Sequence, residues 1–227
     1  MRLKAIAFDL DGTLYPEYRM IPPSLFIALR FPRFVYHFRI VRKQIRMIRP
    51  IENFHALQAE LLAKRLRIDI TKTRQKIQDI IYNKWIKAFK DIKPYPGIKE
   101  LLLRLKALPL KIAVLSDLPV QNKLTFFNLE GLWDCAFSSE ESGYLKPNPE
   151  PFYKLIKALN IKSKNILYVG NNYEYDIIGA ARVGLKTAHL SSRAIKNGIA
   201  DFTFKKYRAL ENFLLKIVNK NQKEIII

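Results

Sequence analysis

The sequence predicts an α/β fold: a doubly wound, Rossmann-like parallel sheet whose core is interrupted by an all-helical insertion. From residue 94 onward, short apolar runs alternate with helical segments, which is the pattern of parallel strands joined by crossover helices. Residues 16–93 instead have apolar residues at helical spacing, divided by prolines. We therefore expect a core formed by residues 1–15 and 94–227 and a helical cap domain formed by residues 16–93.

The core elements follow from the apolar runs and the breaks between them. The first strand is predicted at residues 4–8, where the run ends abruptly in Asp9-Leu10-Asp11-Gly12-Thr13. Pro94-Tyr95-Pro96-Gly97 ends the helical insertion. Further strands are predicted at residues 112–115, 135–137, 166–169, 186–189 and 201–204, and helices at residues 98–108, 121–129, 149–159, 176–183 and 207–219.

Prolines and capping residues divide the insertion into helices. Pro22-Pro23 opens one helix, Pro32 interrupts it, and Pro50 ends the segment of residues 34–49. Another helix is predicted at residues 53–67, and Thr71 is the predicted N-cap of the next. In that last helix the apolar residues recur at helical spacing: Ile77, Ile80, Ile81, Trp85 and Phe89.

The composition excludes several classes of protein. Apolar residues make up 49% of the 227 residues, which is enough for a hydrophobic core and excludes intrinsic disorder. The single cysteine, Cys135, forms no intramolecular disulfide; it indicates a reducing compartment, so we predict a cytoplasmic protein, and we expect Cys135 to be buried. The apolar stretch after Met1 meets Asp9 and Asp11 too soon for a signal peptide, and no apolar run approaches the roughly 20 residues of a spanning helix.

The chain carries a formal charge of +20, and residues 1–95 hold +12 of it. Residues 19–51 contain eight Lys or Arg and no acid, interleaved with aromatic residues: Phe26, Phe31, Phe34, Tyr36 and Phe38. Such a segment suits an anionic membrane surface, a nucleic acid, or the steering of a phosphorylated substrate. We favour steering, or a cap whose aromatic residues pack inward while its arginines face water.

Polar residues follow three of the predicted strands. Asp9 and Asp11 come after the first strand, Ser116-Asp117 after residues 112–115, and Gly170-Asn171-Asn172 after residues 166–169. Lys146 lies in a loop before a helix. Because ligands bind at the carboxyl ends of strands in open parallel sheets, we expect these residues to meet at one edge.

These groups suit phosphoryl transfer. Asp9, fixed by its strand, can attack phosphorus as a nucleophile, provided that a cation screens the negative charges. Asp11 can protonate the leaving oxygen and then activate water, and Lys146 can stabilise both Asp9 and the transferring group. Substrate binding is assigned to backbone N–H groups and side chains of Gly12, Thr13, Ser116, Asp117 and Lys146.

The ordered segments resemble the four motifs of the haloacid dehalogenase superfamily. They are Asp9 to Thr13, Leu115-Ser116-Asp117, Leu145-Lys146-Pro147, and Gly170 to Asp176, with further similarity at Pro94 to Gly97 and Asp176 to Ala180. The resemblance covers nearly the whole chain. It implies a Rossmann-like core, a nucleophilic first Asp, a second Asp as general acid and base, Mg²⁺, and a mobile cap that selects the substrate.

The prediction is therefore a Mg²⁺-dependent phosphatase that hydrolyses a small phosphorylated metabolite through an aspartyl-phosphate. Asp11 favours a phosphatase over a dehalogenase, because dehalogenating members usually lack the second Asp. The last motif usually has an Asp where this chain has Asn171, whose uncharged amide should bind the metal more weakly. Asp176 binds the metal through water or orients Lys146. The predicted metal ligands are Asp9, Asp11, Asn171 and Asp176.

Two alternatives remain open from the sequence. The first is a catalytically weakened member that binds nucleic acid or an anionic membrane through the basic cap. The second is a mutase or dehalogenase on the same scaffold.

Overall fold

The computed structural model describes residues 2–223, with side chains up to residue 217. Within this range lie the strands β1 (Ala5–Phe8), β2 (Lys111–Ser116), β3 (Cys135–Ser138), β4 (Ile166–Gly170), β5 (Lys186–Leu190) and β6 (Phe202–Phe204). They form one parallel sheet in the order β3-β2-β1-β4-β5-β6, which confirms the predicted doubly wound fold class. The ends of the predicted core, residue 1 and residues 224–227, lie outside the described residues.

Four helices of the insertion precede the second strand. They are α1 (Ile21–Arg30), α2 (Pro32–Ile45), α3 (Phe54–Leu66) and α4 (Ile70–Ile77), and the last continues as a π-helical segment, Gln78–Trp85. All of them lie within residues 16–93, the segment that we call the cap. Its helices pack around a separate apolar cluster, which Leu145 of the core joins and which includes Phe34, Phe38, Val41, Ile45, Leu62 and Ile80. Helices that bury a shared apolar face in this way are stable as a layer without joining the sheet.

The remaining helices cover the two faces of the sheet. They are α5 (Ile98–Lys106), α6 (Gln121–Phe126), α7 (Pro149–Leu159), α8 (Gly179–Arg182) and α9 (Tyr207–Lys223). The four residues of β1 are all buried and alternate between faces. Ile6 and Phe8 pack with α5, α6 and α9, whereas Ala5 and Ala7 pack with α7 and α8. Burial on both faces explains why β1 is a continuous apolar run.

Several predicted boundaries in the chain are wrong, each for a local reason. The N-cap of α4 is Asp69, whose carboxylate accepts hydrogen bonds from the N–H groups of Thr71 (2.7 Å) and Lys72 (3.1 Å). Thr71 therefore lies inside the first turn. Helix α2 ends at Ile45, well before Pro50, and α6 ends at Phe126, two residues before Asn128, which has a φ of 51°.

Cys135, expected to be buried, is only half-buried.

None of the helices within residues 2–223 is both long enough and apolar enough to cross a membrane.

Candidate active site

The topology brings the predicted polar residues to one edge of the sheet. Strands β2, β1 and β4 are neighbours, so the residues that follow them, Asp117, Asp9 and Asn171, lie side by side. They open onto a cavity of about 160 Å³. Its lining consists of Asp9, Asp11, Glu17, Ser116, Asp117, Lys146, Asn171, Asn172, Tyr175 and Asp176. A larger cavity, about 400 Å³, lies between α3 and α4 and is lined by none of these residues.

Lys146 lies at the centre of the site. Its Nζ donates hydrogen bonds to Asp9 Oδ1 (2.7 Å), Asp176 Oδ1 (2.6 Å) and the Tyr168 hydroxyl oxygen (3.2 Å). The Tyr168 hydroxyl in turn donates to the Leu115 carbonyl (2.9 Å), which fixes it in place. Lys146, Asp9 and Asp176 are each at least 95% buried, so the ammonium group is held between two carboxylates away from bulk water.

This arrangement shifts the ionisation of all three groups. Burial raises the pKa of Asp9, and the charges of Asp176 and Asp11 raise it further, while Lys146 opposes the shift. Burial likewise raises the pKa of Asp176. Burial works to lower the pKa of Lys146, but the charges of Asp176 and Asp9 prevail and raise it. Lys146 is therefore a fixed positive charge beside the Asp9 carboxylate.

Gly12 and Thr13, in the loop after β1, contact Asn171 in the loop after β4. The Thr13 hydroxyl lies 2.9 Å from Asp9 Oδ2 and 3.1 Å from Asn171 Oδ1, and its oxygen accepts a hydrogen bond from the Asn171 N–H (3.1 Å). Gly12 has a φ of +83°, and a Cβ there would lie 2.4 Å from Asn171 Nδ2. Only glycine combines this backbone conformation with so close an approach.

Three side chains donate hydrogen bonds to the Asp11 carboxylate. Its oxygens accept hydrogen bonds from Lys123 Nζ (2.8 and 2.7 Å), from the Ser116 hydroxyl (2.9 Å) and from the Tyr15 hydroxyl (3.0 Å). Lys123 is fully buried, and its Nζ lies 4.5 Å from the centroid of the Phe89 ring. Ser116, predicted to bind phosphate directly, thus contacts Asp11 in this structure.

Lys123 was missed by the sequence reasoning, although a signal was present. Val120, Lys123, Leu124 and Phe127 recur at helical spacing, so Lys123 occupies a position on the apolar face of α6. A lysine in such a position is almost never fully buried unless it is paired. The pattern could therefore have indicated a buried partner carboxylate.

Asp117 connects the core to the cap. Its Oδ1 accepts a hydrogen bond from the Lys146 N–H (3.2 Å), and its Oδ2 forms an ion pair with Arg46. Arg46 also donates from Nε to the Lys146 carbonyl (2.7 Å) and lies over the Tyr175 ring at 4.4 Å. Burial works to raise the pKa of Asp117, but the charges of Arg46 and Lys146 hold it below its usual value.

Two further arginines of the cap bind the core. Arg42 forms a buried ion pair with Glu140 and donates to the Asp117 carbonyl (2.9 Å). Arg49 pairs with Glu150 and donates to Asn148 Oδ1 (2.9 Å). The prediction that cap arginines face water is wrong for residues 42 and 46, because the carboxylates that bind them come from distant parts of the chain.

The aromatic residues of the basic segment are divided between the interior and the surface. Phe34 and Phe38 are buried as predicted, whereas Phe26 and Tyr36 are 73% and 63% exposed. The expectation that the aromatic residues of the segment pack inward is therefore wrong for two of them.

The predicted metal ligands have different surroundings. Both oxygens of Asp176 are engaged, one by Lys146 and the other by the Asn172 N–H (3.0 Å), and Lys123 contacts both oxygens of Asp11. Within residues 2–223, no three His, Cys, Asp or Glu side chains form a group that could hold a metal ion. Glu174, the acidic residue nearest to Asn171 in the sequence, is exposed and does not line the cavity.

The fold and the site together define a class of protein: a doubly wound α/β core with a buried carboxylate centre at its strand ends and a helical cap held over it. A family model described as haloacid dehalogenase-like hydrolase matches residues 3–184. The chain belongs to this hydrolase family.

Curated relatives agree with this assignment, and solved structures agree with the fold. The chain is 27% identical to a glyceraldehyde 3-phosphate phosphatase of Methanopyrus kandleri, over 83% of this chain and 84% of that protein. It is 28% identical to the pyrophosphatase PpaX of Halalkalibacterium halodurans, over 83% of each chain. In fold it is similar to a 2-haloacid dehalogenase from Pseudomonas syringae pv. Tomato, with a TM-score of 0.71 and 19% identity over 94% of this chain and 99% of the other.

Proposed function

We propose that the protein hydrolyses a small phosphate monoester through a covalent phosphoryl intermediate on Asp9. The observation that carries the proposal is the position of Asp9. Its carboxylate stands at the end of β1, hydrogen-bonded to Thr13 and Lys146, and lines the cavity at the strand ends. The matched relatives named as phosphatases support the same chemistry.

The proposed reaction assigns a part to each neighbouring residue. Asp9 attacks phosphorus, Asp11 protonates the leaving oxygen, and Asp11 then takes a proton from the water that attacks the aspartyl-phosphate. Lys146, positioned by Asp176 and Tyr168, stabilises the carboxylate and the negative charge on the phosphoryl oxygens. Gly12, Thr13, Ser116 and Asp117 shape the region in which the phosphoryl group binds.

Asp11 needs a rearrangement to perform this part. Lys123, Ser116 and Tyr15 all donate to its carboxylate, so Asp11 has to take up a proton from solvent and direct that O–H at the leaving oxygen in place of at least one of these contacts. We expect Ser116 to be the donor that moves, because its hydroxyl rotates freely and it lines the cavity.

The side-chain oxygens at the site fit a weakly held Mg²⁺ ion. Asp9 Oδ2 and Asn171 Oδ1 both lie within hydrogen-bond distance of the Thr13 hydroxyl, so a carboxylate and an amide oxygen converge on one region. Mg²⁺ accepts one or two such oxygens and completes its shell with water and phosphate. When bound, it would neutralise charge between the nucleophile and the phosphoryl group. We propose Asp9 and Asn171 as its ligands, with Asp11 and Asp176 joining only if their lysines release them.

The size of the cavity favours a small substrate. A volume of about 160 Å³ accommodates a phosphoryl group with a short leaving group. The matched relatives act, by name, on glyceraldehyde 3-phosphate and pyrophosphate, which are compounds of this size. We propose a small phosphorylated metabolite as substrate and, because Cys135 is unpaired, a reducing compartment such as the cytoplasm.

Hydrolysis of a generic aryl phosphate tests the nucleophile. With Mg²⁺ present, we expect Asp9→Asn to lower kcat by at least about 1,000-fold, because an amide cannot form the acyl phosphate. Asp91→Asn, at an exposed aspartate of residues 16–93, is the matched control and should leave kcat unchanged. Equal turnover by wild type and Asp9→Asn contradicts the assignment.

Restoring an acid at residue 171 tests the metal site. Asn171→Asp adds a charged oxygen beside Asp9, so we expect half-maximal activation at a lower Mg²⁺ concentration. Activity that shows no dependence on Mg²⁺ in either protein contradicts the proposed ligands. If neither protein hydrolyses any member of a panel of phosphate esters, the proposal of a phosphatase fails and the catalytically weakened alternative is favoured.

A further inference from the structure

The outward side of α1 is unusually apolar for a protein surface. Ile21, Leu25 and Leu29 are spaced four residues apart and are 61%, 55% and 73% exposed, and the neighbouring Phe26 is 73% exposed. At about 100° per residue these four side chains share one side of the helix. Ile27, on the opposite side, is the only buried residue of α1. The helix therefore presents its apolar stripe to solvent.

A stripe of this kind normally faces a protein core or a partner. Single exposed apolar residues are ordinary, but contiguous apolar surface on a folded protein indicates an interaction site. Two tyrosines near α1 in the sequence, Tyr18 and Tyr36, are also more than 60% exposed. Aromatic rings with a polar tip are favoured where one side of the ring is apolar and the other is wet.

The charged residues of the segment that carries this stripe, residues 18–51, are all of one sign. Arg30 ends α1, and Arg39 and Lys43 lie on the exposed side of α2. None of these three cations forms an ion pair with another residue of the described part of the chain. No Asp or Glu occurs from residue 18 to residue 51. The partner complementary to this region is therefore both apolar and anionic.

We propose that the outer side of α1 docks on the surface of a bilayer that contains anionic phospholipids. Ile21, Leu25, Phe26 and Leu29 enter the boundary between headgroups and acyl chains, and Arg30, Arg39 and Lys43 contact the headgroups. The helix lies in the plane of the surface, since ten residues are too few to span the bilayer. This inference is independent of the proposed hydrolysis.

Two other occupants fit the surface less well. A nucleic acid would be recognised through phosphate contacts and base stacking, and the aliphatic side chains of Ile21, Leu25 and Leu29 offer no stacking surface. A second copy of this chain would place the same unpaired cations near one another, without acids from residues 18–51 to balance them.

Vesicle flotation with the full chain tests the proposal. We expect the wild type to bind vesicles of phosphatidylcholine with phosphatidylglycerol at least ten-fold more tightly than vesicles of phosphatidylcholine alone. The double variant Phe26→Ser/Leu29→Ser should lose at least ten-fold in binding to the anionic vesicles. Arg30→Gln/Arg39→Gln should lose several-fold, and its residual binding should depend less on salt.

Matched controls separate docking from general loss of apolar surface. Leu103→Ser and Tyr153→Ser remove side chains that are 49% and 57% exposed on α5 and α7 of the core, and both should bind vesicles like the wild type. Circular dichroism and aryl-phosphate hydrolysis should be unchanged in all of these variants, because the replaced side chains are exposed and lie outside the catalytic cavity.

Three outcomes overturn the proposal. The first is a wild type that does not float with anionic vesicles. The second is binding that salt abolishes but that Phe26→Ser/Leu29→Ser leaves intact, which indicates electrostatic attraction alone, as for a nucleic acid. The third is light scattering that shows a dimer of the wild type, a monomer of the double variant and no flotation of either, which assigns the stripe to a second copy of the chain.

Discussion

The cap contains two groups of basic residues that behave differently although they are adjacent in sequence. Arg42, Arg46 and Arg49 point to the core, where each pairs with a carboxylate from another part of the chain. Arg39 and Lys43, by contrast, are exposed and form no ion pair within residues 2–223. The first group closes the cap over the site, whereas the second gives the outer surface its charge.

The difference shows that the cations behind the net charge of +20 lie in two environments and have different effects. A buried guanidinium that is hydrogen-bonded to a carboxylate is strongly coupled to it, because little water screens the pair. An exposed cation is screened by water and salt, and contributes little to stability. Arg42 and Arg46, whose side chains are at most 12% exposed, should therefore affect folding and catalysis, whereas Arg39 and Lys43 should affect only long-range attraction to anions.

The largest effect is expected for the buried pair of Arg42 and Glu140. Among the residues that the structure describes, Arg42→Met leaves the buried Glu140 carboxylate with the Tyr82 hydroxyl as its one side-chain donor (2.9 Å). We expect the free energy of unfolding, measured with urea, to fall by about 3–5 kcal/mol. Replacing both partners, in Arg42→Met/Glu140→Leu, should recover most of this loss, and a double variant as unstable as the single one would contradict the role of the pair.

Arg46 should affect activity more than stability. It contacts Asp117, the Lys146 carbonyl and the Tyr175 ring, all from residues that line the catalytic cavity. Arg46→Met should lower kcat/KM for an aryl phosphate by about 10- to 100-fold, because Lys146 is less well positioned. Arg46→Lys should not restore it, since a lysine cannot reach a carboxylate and a carbonyl with two directed N–H groups. Wild-type kcat/KM in either variant would refute this interpretation.

Asp117 should make a contribution to stability that depends on pH. Its pKa is below the usual value in the folded protein, so its contribution is fully present above about pH 4 and is lost as the pH falls through the folded pKa. Asp117→Asn should therefore lower the free energy of unfolding by about 1–2 kcal/mol at pH 7, and by less at pH 3. A difference that is equal at both pH values, measured by urea unfolding, would exclude the ionised carboxylate as its source.

The smallest effect is expected for the outer group. Arg39→Ala and Lys43→Ala should each change the free energy of unfolding by less than about 0.5 kcal/mol and leave kcat/KM unchanged. A loss comparable to that of Arg42→Met would show that the two groups of cations do not differ as the geometry indicates.

Much of the fold and of the candidate site could be predicted because the features that indicate them are short stretches of sequence. The buried strand before Asp9, the glycine after Asp11, and the order of Ser116, Lys146 and Asn171 along the chain are all visible in sequence. Their meeting at one edge then follows from the topology of a parallel sheet.

The remaining features depend on partners that are distant in sequence. Lys123 pairs with Asp11 across 112 positions, and Arg42 pairs with Glu140 across 98. Helical spacing places Arg42 and Arg46 on one side of α2, but it does not reveal which side faces acidic residues of the core. For the same reason the exposure of Phe26 and the burial of Phe34 could not be distinguished from the interleaved pattern.

The most direct test of the central claim is to trap the phosphorylated enzyme. The wild type is mixed with excess aryl phosphate and Mg²⁺, quenched in acid, and digested for peptide mass spectrometry. We predict that the peptide containing residues 5–13 gains the mass of one phosphoryl group, located on Asp9, and that Asp9→Asn gains none. Turnover without any phosphorylated peptide, or with the phosphoryl group on Asp11 or another residue, would contradict Asp9 as the nucleophile.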